Sequence, residues 1–300
     1  MNNFFQIKYL FKSIQSVFIR VLLYSFFIYT EIFSQTIFTQ KDVEICNSKF
    51  QFAIEANLST KPINEIITEI GKSFIGTDYE AFTLEKPGEE RLVVHLTGLD
   101  CYTFLETSLV FARSIKNGKT SFEDYQKELV NIRYRNGKLK DYPSRLHYFS
   151  DWIYNMNKRG IGKDKTKEIG GVPYIKKINF MSTHTDSYRQ LKENPKFVKE
   201  IEAAEMKINK RNYYYIPEED IEKCEDKIQS GDIIGITTNI EGLDISHTGI
   251  AVRMNDGRIH FMHAPNVGHK VEITEKPLAE YVKANKKQTG IMVLRVNEIN

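Results

Sequence analysis

Cysteine is scarce in this sequence, with three residues in a chain of 300. A fold held together by disulfides needs a denser set of cysteines, so that class of small scaffold is excluded. Cys224 shares a helical face with Ile221 and Ile228, which favours a core position over a reactive one. A bond between Cys46 and Cys224 stays open, and it would leave Cys101 as the free thiol.

An excess of charge of one sign is also missing. The net charge is +3 and the sequence pI is about 8.5. Residues 1–35 carry three basic side chains and one acidic one, so the rest of the chain carries +1. No basic block and no aromatic platform for stacking bases stands out. The composition therefore gives no support for a nucleic-acid partner.

The sequence lacks an apolar run near its start that would cross a bilayer comfortably. The apolar run at 21–30 is short, follows three basic side chains and precedes the small residue Ser34. This order predicts a secretory signal over residues 1–35, and an exported, periplasmic or secreted protein without stable membrane insertion after cleavage. Because no small residue lies three positions before the cut, an uncleaved signal anchor stays open as the alternative.

Hydrophobic periodicity changes along the rest of the chain from helical to strand spacing. Helical stripes dominate up to about residue 209, whereas period-two strands begin near Ser230 and turn at Asn255-Asp256-Gly257. Helices first and an antiparallel sheet afterwards predict an α+β fold. No internal repeat or long linker divides the chain. We therefore expect a single domain over 36–300, with a helical and loop insertion at about 113–230.

One cysteine lies where a predicted strand meets a predicted helix. Residues 91–97 are rich in β-branched side chains and end at Gly98, whereas helical spacing begins at Cys101. Asp100 can cap this helix, which places Cys101 in its first turn. Unpaired N–H groups and the positive end of the helix dipole there favour a thiolate and can hold an oxyanion. The alternative is an ordinary core cysteine on the apolar face of a helix.

Two histidines of the predicted sheet are placed to act on such a thiol. In a regular hairpin His247 and His263 lie on one sheet face, which suits a base and the group that orients it. His260 points to the opposite face, so a zinc site built from the three histidines is excluded. A histidine buried in the core is the alternative for His247.

Residues 133–152 are unusually dense in arginine, aromatic residues and histidine. Such a stretch suits a groove that stacks on sugar rings and binds carboxylates. A solvated loop anchored by its aromatic residues explains the same composition. Tyr79, alone among polar neighbours, is either an exposed tyrosine or a site residue.

Five short motifs follow one another along the chain: Gly76-Thr77-Asp78-Tyr79, Asp100-Cys101, Gly231-Asp232-Ile233-Ile234, Ser246-His247-Thr248-Gly249-Ile250 and Phe261-Met262-His263-Ala264. In this order they resemble the signature of NlpC-type peptidoglycan hydrolases, which are papain-like cysteine enzymes. The sequence between 101 and 152 is similar to one subgroup, the N-acetylmuramoyl-L-alanine amidase-like proteins. The resemblance runs from about residue 60 to 296. The chain departs from the family at Asp78, where proline is typical, and no Trp-Gly pair follows Tyr79.

The resemblance implies one papain-like catalytic domain. It also implies a role for each candidate catalytic residue. Cys101 would be the nucleophile, His247 the general base and His263 the group that orients the base, with Tyr79 also at the active site. The family pattern implies neither a cofactor nor a metal. We expect the pKa of the Cys101 thiol to lie below the value of about 8.5 for a free cysteine.

The same resemblance implies a substrate class. The subgroup points to muropeptides, which are peptidoglycan fragments of amino sugar and stem peptide, and to hydrolysis of the N-acetylmuramoyl-L-alanine amide through a thioester. Two alternatives stay open: a γ-D-glutamyl-diamino acid endopeptidase, and an inactive wall-binding module on the same fold. In the expected groove we assign Arg145 to a substrate carboxylate, and Tyr148 and Trp152 to stacking on a sugar ring.

Overall fold

The structure is a computed structural model that describes residues 36–266 and 269–299. The predicted signal over residues 1–35 lies outside this range. None of the helices in the described part of the chain has the length and apolar character needed to span a bilayer. The α-helices of the described residues are α1 (Gln40–Glu55), α2 (Ile63–Ser73), α3 (Cys101–Lys116), α4 (Phe122–Arg133), α5 (Phe149–Lys158), α6 (Thr166–Ile169), α7 (Phe180–Thr183), α8 (Arg189–Glu193), α9 (Pro195–Ile208), α10 (Ile221–Cys224) and α11 (Leu278–Lys283).

The strands of the described residues form an antiparallel sheet with the order β2-β3-β8-β4-β5-β6-β7, and β1 also pairs with β8. The hairpin predicted at residues 255–257 joins β5 to β6. This arrangement confirms the predicted α+β class with its antiparallel sheet. The strands are β1 (Gly162–Asp164), β2 (Val172–Pro173), β3 (Tyr214–Pro217), β4 (Ile233–Thr238), β5 (Ile245–Arg253), β6 (Ile259–His263), β7 (Glu272–Ile273) and β8 (Gln288–Val296).

Both faces of the sheet are buried. Successive side chains of the central strand β4 point to opposite faces, and they pack into two different apolar clusters. Ile233 joins the larger cluster, which also contains the buried residues of helices α1 to α5. Ile234 joins the second cluster, with residues of α10 and α11. The sheet is therefore fixed between two helical layers, and its strand ends are held in defined positions.

Helix α3 is the most buried helix of the larger layer and carries the candidate nucleophile at its first residue. Twelve of its 16 residues are buried, and it packs against α2, α4 and strand β5. The Phe111 ring lies 4.9 Å from that of Phe50 and 4.7 Å from that of Tyr125. Burying one such side chain stabilises the fold by about 1.5–3 kcal/mol. This packing holds the start of α3 rigidly against the sheet.

The residues of the predicted insertion at about 113–230 divide between different clusters. Tyr125, Leu129 and Ile132 of α4 pack in the larger cluster with α3. A third cluster gathers side chains from α7, α8 and α9 around Tyr142 and Tyr148. The stretch from 133 to 152 therefore contributes to two clusters: Tyr142 and Tyr148 pack in the third, whereas Tyr134, Leu146 and Trp152 pack in the larger one.

Candidate active site

Cys101 is the first residue of α3, and Asp100 caps the helix as predicted. The Asp100 carboxylate accepts a hydrogen bond from the Thr103 N–H at 2.7 Å, and the Thr103 hydroxyl accepts one from the Asp100 N–H at 2.9 Å. This reciprocal capping box fixes the first turn. Cys101 as a whole residue is partly exposed, and it lies at the positive end of the helix.

A single cleft brings together residues that are far apart in the sequence. Tyr79, Cys101, His247 and His263 all line this cleft, whose volume is about 470 Å³. Cys101 comes from the start of α3, whereas the histidines come from β5 and β6. The structure thus places the predicted nucleophile, base and orienting residue around one space.

The two histidines are joined directly. His247 Nε2 lies 2.6 Å from His263 Nδ1, which is hydrogen-bonding distance. The Phe261 ring packs against both imidazoles, with centroids 5.7 Å from His247 and 4.8 Å from His263. Because Nε2 of His247 is engaged, Nδ1 is the nitrogen that is left to exchange a proton with a thiol.

The thiol pKa differs from the expectation. Burial raises the pKa of Cys101 to about 12, and the Asp100 carboxylate raises it further, whereas the N–H groups of Thr248, Cys101 and Tyr102 lower it. The expectation of a lowered pKa was wrong because burial of the thiolate outweighs three backbone donors. These donors nevertheless face the sulfur, where a developing negative charge would appear.

The pKa values of both histidines are lowered, which favours their neutral forms. Burial lowers the pKa of His247 to about 4. Burial and then the nearby His247 lower the pKa of His263 to about 3. A neutral thiol therefore faces neutral imidazoles at neutral pH. This state suits a base that takes the thiol proton as the sulfur attacks, instead of a thiolate formed in advance.

Tyr79 also lines this cleft. Its N–H donates to the His269 carbonyl at 2.7 Å, which fixes the backbone beside it. Asp78, where the resembling family has proline, makes backbone bridges to Gly98 and Lys270. Burial, followed by Cys101 and Asp100, raises the pKa of Tyr79, so its hydroxyl keeps its proton and can donate it in a hydrogen bond.

Tyr148 and Trp152 do not lie in the cleft. Trp152 is 0% exposed, and its ring stacks on Phe149 with centroids 5.5 Å apart. Tyr148 is 4% exposed, and its hydroxyl donates to Glu205 at 2.7 Å. The expectation that these rings stack on a sugar was wrong, because both are packed in the interior and present no free face.

The side chain of Arg145 also binds groups of the protein itself. It is 8% exposed, and its guanidinium donates to Glu90 at 2.9 Å and to Glu85 at 2.7 Å. It lines a second cavity of about 340 Å³, which meets the cleft at Tyr79. Since two carboxylates already occupy the guanidinium fork, the structure contradicts the assignment of Arg145 to a substrate carboxylate. The ion pairs hold the segment at 84–90 in place instead.

Sequence reasoning missed four further residues that line the cleft with Cys101. They are Glu272, Tyr281, Asn285 and Gln288, from β7, α11, the turn after α11 and β8. The Tyr281 ring lies 5.2 Å from that of His263, and burial raises the pKa of Tyr281 to about 12. No spacing rule connects these positions to Cys101, so only the folded chain reveals them.

The described residues contain no group of three or more His, Cys, Asp or Glu side chains placed to hold a metal ion. His260 lies away from the cleft: its Nδ1 is 2.7 Å from the Thr274 carbonyl and its Nε2 is 3.0 Å from Asp256. The strand alternation that separates His260 from the other two histidines is as predicted.

Comparison with protein families identifies the chain. The family described as AmiA-like, N-acetylmuramoyl-L-alanine amidase-like, matches residues 69–291. The chain belongs to this family. The matched range contains Tyr79, Cys101, His247 and His263, and it indicates a hydrolase of the amidase type that acts on peptidoglycan.

Several solved structures are also similar to the chain. An N-acetylmuramoyl-L-alanine amidase from Bacteroides uniformis is 34% identical, with a TM-score of 0.75 over 78% of this chain and 99% of that one. A Bacteroides fragilis protein with a provisional xylanase name is 34% identical, with a TM-score of 0.69 over 76% and 100% of the two chains. Protein LPG0564 from Legionella pneumophila is 25% identical, with a TM-score of 0.63 over 86% and 97%. No curated protein sequence matches the chain.

Proposed function

We propose that the protein is a cysteine amidase that hydrolyses the bond between the lactyl group of N-acetylmuramic acid and L-alanine in muropeptides. The observation that carries this proposal is the shared cleft of Cys101, His247 and His263, within a family of amidase-like proteins. We also propose that the chain is exported by a signal over residues 1–35 and acts as one papain-like, NlpC-type catalytic domain over 36–300.

In the first half of the reaction, His247 Nδ1 takes the proton of Cys101 while Sγ bonds to the lactyl carbonyl carbon. The carbonyl oxygen becomes an oxyanion, for which the N–H groups at the start of α3 and the Tyr79 hydroxyl are available donors. When the intermediate collapses, the C–N bond breaks and His247 gives its proton to the departing alanine nitrogen. The stem peptide leaves with a free amine, and the muramoyl group stays on sulfur as a thioester.

The second half restores the enzyme. His247 takes a proton from a water molecule as its oxygen attacks the thioester carbonyl. The C–S bond then breaks, the muramoyl acid leaves, and the sulfur recovers its proton from His247. In both halves His263 supports the positive charge that forms on His247, because its Nδ1 lies 2.6 Å from the nitrogen opposite the reacting one.

A glycosidase function, which the provisional name of the Bacteroides fragilis protein would imply for that protein, has less support here. Hydrolysis of a glycosidic bond ordinarily requires a pair of carboxyl groups across the scissile bond. Among the described residues that line the cleft, Glu272 is the one carboxylate. A thiol that shares a cleft with a histidine pair instead fits acyl transfer.

The bond can be identified from the products of a defined muropeptide. We expect mass spectrometry to show free N-acetylmuramic acid and the complete stem peptide. A stem peptide split after D-glutamate would favour the endopeptidase, and no product would favour an inactive wall-binding module. Cys101→Ala serves as the matched control, because it removes only the thiol. Products from that variant would overturn the cysteine mechanism.

A further inference from the structure

The hydrogen bond between the histidines restricts where their protons lie. If His247 Nδ1 is to accept the thiol proton, the neutral ring must carry its own proton on Nε2. That proton is then donated to His263 Nδ1, which lies 2.6 Å away and must be unprotonated. The neutral His263 ring must therefore carry its proton on Nε2. This second N–H needs an acceptor if the tautomer is to be held.

The protein leaves that nitrogen unsatisfied in the resting geometry. His263 is 1% exposed, and its Nε2 is buried without a hydrogen-bond partner. Oε1 of Glu272 lies 3.9 Å from it. Glu272 is opposite His263 in the β6–β7 ladder, so the two side chains share one sheet face. The Glu272 side chain is half exposed, so a rotation can bring its oxygen into hydrogen-bonding distance.

We propose that Glu272 is a positioning residue that accepts the Nε2 proton of His263 and so fixes the tautomer that keeps His247 ready as a base. This inference rests on the proposed function of the cleft. The chain of contacts would run from Cys101 through His247 and His263 to Glu272. Glu272 would not touch the substrate for this purpose.

The groups around His263 allow Glu272 this role. His247 faces its Nδ1, the Phe261 ring packs against one face at 4.8 Å, and Tyr281 lies 5.2 Å away. Tyr281 keeps its proton, because burial raises its pKa. Gln288 also has an unpaired buried oxygen in the cleft, but its amide carries no charge. Glu272 is therefore the charged acceptor in reach among the described residues.

The kinetic test compares Glu272→Ala with Glu272→Gln. We expect kcat to fall about tenfold in Glu272→Ala with little change in KM, by analogy with the carboxylates that orient metal-binding histidines. Glu272→Gln keeps an acceptor oxygen and should recover part of that loss. Glu275→Gln is the matched control, because it removes an exposed carboxylate three residues away that does not line the cleft. It should leave kcat unchanged.

The pH profile separates positioning from a general effect on folding. The Glu272 charge favours protonated imidazole, so its removal should move the acid limb of kcat/KM to lower pH. The acid limb of kcat/KM should therefore lie at lower pH in Glu272→Ala and Glu272→Gln than in the wild type. In Glu275→Gln it should not move. A drop in kcat with an unmoved limb would indicate only a perturbed edge strand and would overturn the proposal.

The tautomer itself is a readout that needs no turnover. In ¹⁵N spectra of the wild type, His263 should show a protonated Nε2 and an unprotonated Nδ1, assigned by their loss in His263→Asn. Glu272→Ala should mix the two tautomers. If the wild type hydrolyses muropeptides, Cys101→Ala is inactive and Glu272→Ala matches the wild type in kcat and tautomer, this inference alone fails. If Cys101→Ala still hydrolyses, the proposed function fails, whatever the spectra show.

Discussion

Nε2 of His247 lies 2.6 Å from Nδ1 of His263, across the hairpin of β5 and β6. This contact decides which nitrogen of His247 is free and which proton His263 must carry. In the proposed mechanism the pair acts as one unit, and the buried His263 ring orients the His247 ring.

The first prediction concerns the buried member of this pair. His263→Ala removes the acceptor for His247 Nε2–H, so kcat should fall about 100-fold or more. His263→Asn offers an amide oxygen at a similar place and should lose less. Steady-state kinetics with a muropeptide, together with thermal melting of both variants, measures this. Equal losses for alanine and asparagine at matched stability would mean that His263 fills space and does not orient His247.

The second prediction follows from the pKa of the base. His247 must be neutral to accept a proton, and burial lowers its pKa to about 4. Activity should therefore persist through mildly acidic pH and fall only as the pH drops through about 4. The profile of kcat/KM against pH measures this in the free enzyme. An acid limb near the ordinary histidine value of about 6.5 would contradict the buried, neutral pair.

The third prediction separates a structural arginine from a substrate-binding one. Arg145→Lys keeps the charge but cannot hold Glu90 and Glu85 together, so unfolding should become easier by about 1–3 kcal/mol. Turnover by the folded fraction should stay close to that of the wild type. Arg91→Lys is the matched control, because within the described part of the chain its side chain makes one hydrogen bond, to the Pro87 carbonyl at 3.4 Å. Intact stability with a raised KM would instead restore Arg145 as a substrate ligand.

Local chemistry made part of the site predictable. Asp100 caps α3 through a short-range rule, so the position of Cys101 at the helix start follows from the sequence. The alternation of a strand likewise places His247 and His263 on one face and His260 on the other. These inferences need no knowledge of distant partners, and the structure agrees with them.

The rest depends on partners far along the chain. Whether Arg145 faces a ligand or the interior is decided by Glu85 and Glu90, which lie 60 and 55 residues away in the sequence. The pairing of Glu272 with His263 depends on the register of a two-residue strand. The thiol pKa depends on burial, which the helix dipole at Cys101 does not reveal. Composition alone cannot fix any of these.

The most direct test of the account is to trap the acyl-enzyme. Wild-type protein is mixed with a muropeptide, quenched with acid and digested, and the peptide that contains Cys101 is examined by mass spectrometry. The account predicts that this peptide carries the muramoyl group as a thioester, and that Cys101→Ser gives no such species and no turnover. A glutamyl-containing stem fragment on Cys101 would contradict the assigned bond. Full turnover by Cys101→Ser would contradict the cysteine mechanism itself.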